Sequence, residues 1–247
     1  LNMQVSISPY EIDFYRKYSN ADVIENRAKY ETDHVRIDAV KLFADGVPFG
    51  QTMLIKESYP NSDHHGLPMT PAKELTKKIV HFNSLGLGVV VHSTGDAAAE
   101  MVLNATEESM RVNGAEKVRK LRNHIAHNVI VDENDFNRMK YTNVTMEFSP
   151  SFWYPRPIID QAEADLGSKM LQKVWPFGQT LRAGVNVAIG SDWNQAQADP
   201  FINTETLVTR KSPGASKTDV ILGKDSGATL SQVIYTYTLG NAKAMFM

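Results

Sequence analysis

Short apolar runs alternate with amphipathic helical runs along most of this chain. Met3 to Ser8 alternates apolar and polar positions and predicts a strand ended by Pro9. The mixed, charged stretch from Asp22 to Asp33 predicts a solvated helix, and Ile37 to Phe43 a second strand stopped by Asp45-Gly46. Residues 44–70 then form a long connection punctuated by Pro48, Gly50, Pro60, Gly66 and Pro68. Connections of that length in compact domains often serve as lids or binding loops. A helix capped by Thr70 follows, with Pro71 at its first position, Leu75, Ile79 and Phe82 on one face, and Gly86 as its stop.

Leu87 to His92 is a nearly continuous apolar run, as in a strand buried on both faces. The helix from Asp96 to Gly114 should bury Ala98, Val102, Ala105, Ser109 and Val112. Further strands are expected over Leu121–His127, Asn143–Phe148 and Val185–Ile189, with helices from Asp132 to Lys140 and from Pro176 to Ala183. From Pro200 onward the pattern is helical, most clearly over Leu230–Met245. Six strands, each followed by a helix or long connection, predict an α/β fold on a parallel sheet. Relative to the eight strands of a (β/α)₈ barrel, this is an incomplete TIM-like barrel with exposed edges.

Ionisable residues recur inside or just after these strands: Lys41 in the second, His92 closing the third, His124 and His127 closing the fourth, and Asp192 after the last. In a parallel barrel all these C-terminal ends gather at one mouth, where barrel active sites lie. His124 and His127 are three apart, so strand alternation predicts that only one of them faces the site. Each residue also has a structural reading. A strand-end histidine can be hydrogen-bonded packing, Lys41 can reach the surface along its stem, and Asp192 in Gly-Ser-Asp can be a turn or cap. Their shared position outweighs those separate readings. Two neutral imidazoles and a carboxylate suit Zn²⁺, Mn²⁺, Fe²⁺ or Co²⁺, which points to metal-assisted hydrolysis with Asp192 handling the proton. His34, His64, His65 and His81 are background. The Phe152-Trp153-Tyr154 segment after the fifth strand is either an apolar substrate wall or loop packing.

Composition narrows the partners. The 247 residues hold 26 Lys+Arg against 28 Asp+Glu, a net charge of −2 without the basic surplus of a nucleic-acid binder. No apolar run approaches the roughly 20 residues that span a bilayer. The absence of Cys excludes disulfides and thiolate metal sites. A small-molecule substrate is the partner that remains, and unpaired strand edges add the expectation of a symmetric dimer. The chain opens on Leu1-Asn2-Met3 and closes inside a predicted helix, so truncation at both ends is expected and the compartment is left open.

The ordered segments Val40-Lys41-Leu42-Phe43-Ala44-Asp45-Gly46, Val91-His92-Ser93-Thr94-Gly95-Asp96-Ala97-Ala98, Arg122-Asn123-His124-Ile125-Ala126-His127, Ala183–Trp193 and Tyr237–Ala242 resemble the amidohydrolase superfamily, in its YtcJ-like branch, amidohydrolase family 3. The resemblance runs over roughly residues 35–245. It implies strands three to eight of a distorted TIM barrel forming one partial domain over residues 1–247, without the first two strands and the family's β-sandwich domain. It further implies His92, His127 and Asp192 as ligands of one or two divalent ions, zinc foremost, and Lys41 as a lysine able to carry a bridging carbamate. His124, Asp96 and Trp153 are its candidates for substrate contact. The implied activity is hydrolysis of non-peptide C–N bonds, weak or lost in this chain. The alternatives are a metal-dependent esterase or phosphoesterase on the same fold and a non-catalytic, ligand-binding barrel. Three departures stand out: no His-x-His occurs, Ala126 stands where the family usually has Glu, and Asn123 and His124 replace its His and Arg.

Overall fold

A computed structural model describes residues 3–8, 20–155, 157–194, 197–216 and 220–247. Six parallel strands, β1 (Met3–Ile7), β2 (Val35–Phe43), β3 (Gly88–His92), β4 (His124–Ala126), β5 (Thr145–Phe148) and β6 (Asn186–Ile189), pair in sequence order into one sheet. Successive parallel neighbours joined by helical crossovers are the barrel arrangement, and the result is an incomplete TIM-like barrel. The stop expected at Pro9 lies outside the described residues.

The helices are α1 (Asn20–Glu25), α2 (Ala72–Ser84), α3 (Asp96–Asn113), α4 (Ala115–Leu121), α5 (Phe136–Thr142), α6 (Pro157–Leu166), α7 (Ser168–Leu171), α8 (Phe177–Arg182), α9 (Pro200–Thr209), α10 (Leu230–Tyr235) and α11 (Asn241–Ala244). Several expectations need correcting. The helix expected over Asp22–Asp33 ends at Glu25, followed by a 3-10 turn over Arg27–Lys29. Thr70 does not cap α2; Pro71 holds that position in an extended conformation. Val112, expected on the buried face of α3, is 52% exposed at the helix's last turn. The Leu230–Met245 helix is interrupted by a π turn over Thr236–Gly240.

Alternation along the strands separates two faces. Val40, Leu42, Val89, Val91, Ile125, Met146, Phe148, Val187 and Ile189 pack outward in the core shared with the helices. The opposite, concave face is a set of aligned rows. Lys41, Val90, His124, Thr145 and Asn186 form one, and Phe43, His92, Ala126, Glu147 and Ala188 the next. The apolar run of β3 is therefore buried on one face only; Val90 and His92 are half-buried on the other. At the β6 edge, the Asn241 side chain takes the role of a neighbouring strand. Its carbonyl accepts from Ile189 N–H at 2.8 Å, and its amide donates to Ile189 C=O at 3.0 Å.

Candidate functional site

The C-terminal ends of β2 to β6 bring Lys41, His92, His127 and Asp192 to one mouth. Lys41 Nζ lies 3.2 Å from His127 Nε2. The His92 and His127 rings are 5.2 Å apart between centroids, and His127 Nδ1 is 4.0 Å from Asp192 Oδ2. His124 faces the same concave side, so the two do not lie on opposite faces, yet only His127 makes contact with Lys41. His127 sits one residue beyond β4, where an extended backbone would turn it away from the Ala126 row. Its φ of 62° puts it in the left-handed region instead, and the ring folds back toward Lys41. Asp192 is also left-handed, with φ 53°. Asp and His tolerate that region better than most side chains, and such backbone tends to gather at functional sites.

Each imidazole has one anchored nitrogen. His92 Nε2 meets the Gly46 carbonyl at 2.8 Å, and His127 Nδ1 meets Ser149 Oγ at 3.1 Å. Gly46 C=O is steadied in turn by the Thr94 hydroxyl at 2.8 Å. Asp45, fully buried, accepts from the N–H groups of Leu54, Thr94 and Gly95, each at 2.9 Å, and so ties the long loop to the start of α3. Burial nevertheless pushes its carboxyl up to about 6.

The mouth is partly buried, and its electrostatics follow from that. Burial, then the nearby Lys41 charge and His92, holds His127 down at about 3. Burial lowers His92 too, and burial with Lys41 takes His124 down to about 4. Lys41 is itself lowered by desolvation, against the pull of Glu147 and Asp192. All three rings are neutral at pH 7, so the His127–Asp192 contact is not an ion pair. While Lys41 is protonated it donates to His127 Nε2, which leaves the His127 proton on Nδ1, facing Ser149.

Glu147 escaped the sequence reading. It lies on the concave face beside Ala126, and burial raises its carboxyl while Lys41 lowers it. A Cβ on Gly190 would come within 2.5 Å of Glu147 Oε1, so the glycine leaves the carboxyl its room. The signal was present: an ionisable residue inside an apolar strand, the same feature that drew attention to Lys41. The other candidates lie apart from this group. His124 Nε2 or Nδ1 is turned to the Ala244 backbone, and Asp96 accepts from the N–H groups of Lys56 and Ala97, both at 2.9 Å. Trp153 is buried against Phe148, Trp175 and Phe177 and also lines the cavity over His127 and Asp192.

Two ring nitrogens, His92 Nδ1 and His127 Nε2, remain for a metal, each opposite an anchored partner nitrogen. Metal-binding imidazoles are held in this way. With Asp192 the donor chemistry fits a divalent ion, but only as part of a set. Among the described residues no three His, Asp or Glu side chains stand close enough to hold one. Lys41 occupies the lone pair of His127 Nε2, so an ion at that nitrogen requires Lys41 to be displaced or carboxylated.

The family model for the amidohydrolase family matches residues 3–247, and the chain belongs to that family. It is 26% identical over 211 residues to the YtcJ protein of Bacillus subtilis (strain 168), covering 83% of this chain and 37% of that one. It is 23% identical over 225 residues to the N-substituted formamide deformylase of Arthrobacter pascens, covering 91% of this chain and 40% of the relative. The chain thus spans about two fifths of the curated relatives it matches. Among solved structures it resembles an uncharacterized metal-dependent hydrolase from Pyrococcus horikoshii OT3, with a TM-score of 0.77 and 22% identity. That match covers 100% of this chain and 46% of the other.

Proposed function

We propose that this chain carries the catalytic mouth of a metal-dependent hydrolase acting on a C–N bond of a non-peptide amide. One observation carries the reading: half-buried Lys41 at 3.2 Å from His127 Nε2, with His92 and Asp192 beside it at the strand ends. The amide-type substrate named for the Arthrobacter pascens relative supports the bond class.

A divalent ion, zinc in first place, would be held by His92, His127 and Asp192, with Lys41 carboxylated where two ions are bound; it would lower the pKa of water towards about 7 and polarise the carbonyl oxygen. Asp192, about a third exposed at the mouth, takes a proton from the attacking water and returns it to the departing nitrogen. Burial keeps His92 and His127 in the neutral form that ligation needs, and Gly46 and Ser149 fix their ring orientation. The buried Trp153 keeps water off one side of the cavity.

The described donors fall short of a full set, so the purified chain should bind metal weakly and turn over slowly. Metal analysis and a panel of amides, carboxylic esters and phosphoesters test this. Slow, chelator-sensitive amide hydrolysis lost in Asp192→Ala supports the reading. Preferential ester or phosphoester turnover moves the bond class. Ligand binding that depends on Asp192, with no hydrolysis of any substrate, makes the barrel a binder instead. Stoichiometric two-ion occupancy with fast turnover would show that the donor set is complete as it stands.

A further inference from the structure

Over His127 and Asp192 lies a cavity of about 100 Å³. Its walls are apolar: Val47, Phe49, Val129, Phe152, Trp153 and Trp175. Its polar lining residues are His92, Thr94, His127, Ser149 and Asp192. Among the described lining residues Asp192 bears the sole formal charge, and there is no Lys or Arg to receive a carboxylate or phosphate. An anionic substituent entering here would lose its hydration and lie close to Asp192, while the nearest cation, Lys41, contacts His127 and does not line the cavity.

The aromatic wall is held in place from behind. Trp153 and Trp175 stack at 5.8 Å with an interplanar angle of 20°. The backbone N–H of Trp175 donates to Val129 C=O at 2.6 Å. The Arg210 guanidinium, 1% exposed, lies 5.1 Å from the Trp153 ring centre and 6.0 Å from that of Trp175. It donates to the carbonyls of Leu222 at 2.8 Å and Val174 at 3.3 Å, which links three separate loops around the two rings. The rings screen this cation from the cavity. A wall pinned in this way is already in shape before a ligand arrives, so little ordering accompanies binding. Apolar cavities of roughly 150 Å³ in proteins enclose a benzene ring; this one, about 100 Å³, is smaller but open at its mouth, so a ring can seat against the wall without being fully enclosed.

We propose that the substituent next to the bond to be cleaved is a neutral, ring-bearing apolar group seated against Trp153 and Trp175, and that anionic substrates are excluded. Calling that bond the one cleaved rests on the hydrolase reading above; the preference for a neutral ring does not. Binding to the metal-free chain is measured by ligand-observed NMR with three probes. Acetanilide is neutral and carries a ring, N-methylacetamide lacks the ring, and 4-acetamidobenzoate adds a carboxylate to the ring. Acetanilide should bind about tenfold or more tighter than either of the others. Val47 is 38% exposed at the rim, so Val47→Lys adds a cation there without disturbing the core. It should strengthen 4-acetamidobenzoate binding several-fold relative to acetanilide binding. Equal affinities for the three probes, no saturable binding of acetanilide, or no response to Val47→Lys would each overturn the inference. A ring preference in a chain that takes up no divalent ion would leave the pocket assignment standing and remove the hydrolase reading. Metal-dependent turnover favouring the carboxylated probe would do the reverse.

Discussion

The Lys41 charge, 3.2 Å from His127 Nε2, acts with burial to set the charge state of that imidazole. Lys41→Met removes the second-largest cause of the His127 shift and leaves the largest, burial, in place. The His127 titration followed by imidazole NMR should therefore move up from about 3 and stay below 6.5. An unchanged midpoint would mean that the two groups do not interact. Glu147 and Gly190 form a second coupled pair. A methyl at residue 190 would meet Glu147 Oε1 at 2.5 Å, so Gly190→Ala must turn the end of that side chain aside, at a cost of about 0.5–1.5 kcal/mol. Glu147→Ala removes the obstacle. In urea unfolding the double variant should lose less stability than the sum of the singles, whereas strict additivity would place the carboxyl elsewhere.

At the scale of elements, the sequence showed the strands better than the helices, for a physical reason. Parallel strands under helices need continuous apolar character on their outer face, and Val89–Val91 or Val187–Ile189 display it over a few residues. Short helices such as α4, with one buried residue, Val118, carry almost no periodic signal and were absorbed into the neighbouring strand or loop. The candidate site was legible where a polar side chain interrupts a strand, as at Lys41 and His92. At His127 the residue was a candidate, but the left-handed φ that brings its ring to the mouth against the strand rule carries no sequence signal. The sequence also gave no sign that Asn241 closes the β6 edge. Asn241→Ala breaks both of its bonds to Ile189 and leaves that strand's N–H and C=O without their partner. A loss of about 1–3 kcal/mol is expected, with faster amide exchange at Ile189 than elsewhere in β6. Uniform exchange along β6 would show that the edge is not held by this side chain.

For the whole molecule, the buried titratable groups pull stability in opposite directions with pH. His92, His124 and His127 are lowered, so between their folded values and 6.5 the unfolded chain binds more protons than the folded one. Their contribution is fully present above pH 6.5 and is lost as pH falls toward about 4 for His124 and about 3 for His127. Asp45, Asp96 and Glu147 are raised, so the folded chain binds more protons above the ordinary carboxylate range, and their effect favours the fold as pH falls. The net curve of the metal-free protein should be shallow between pH 4 and 6.5, because three histidines act against three carboxyls over much of the same window. Substitutions separate the two sets. His124→Asn removes one group that gains a proton on unfolding, and the slope of unfolding free energy against pH should fall by up to about 1.4 kcal/mol per pH unit. Glu147→Gln removes one group that releases a proton on unfolding, and the loss of stability on acidification should steepen. Urea midpoints at half-unit intervals from pH 4.5 to 7 read both effects. If the two variants shifted the slope in the same direction, the charge states assigned to the concave face would be wrong, and with them the neutral imidazoles that metal binding at this mouth requires.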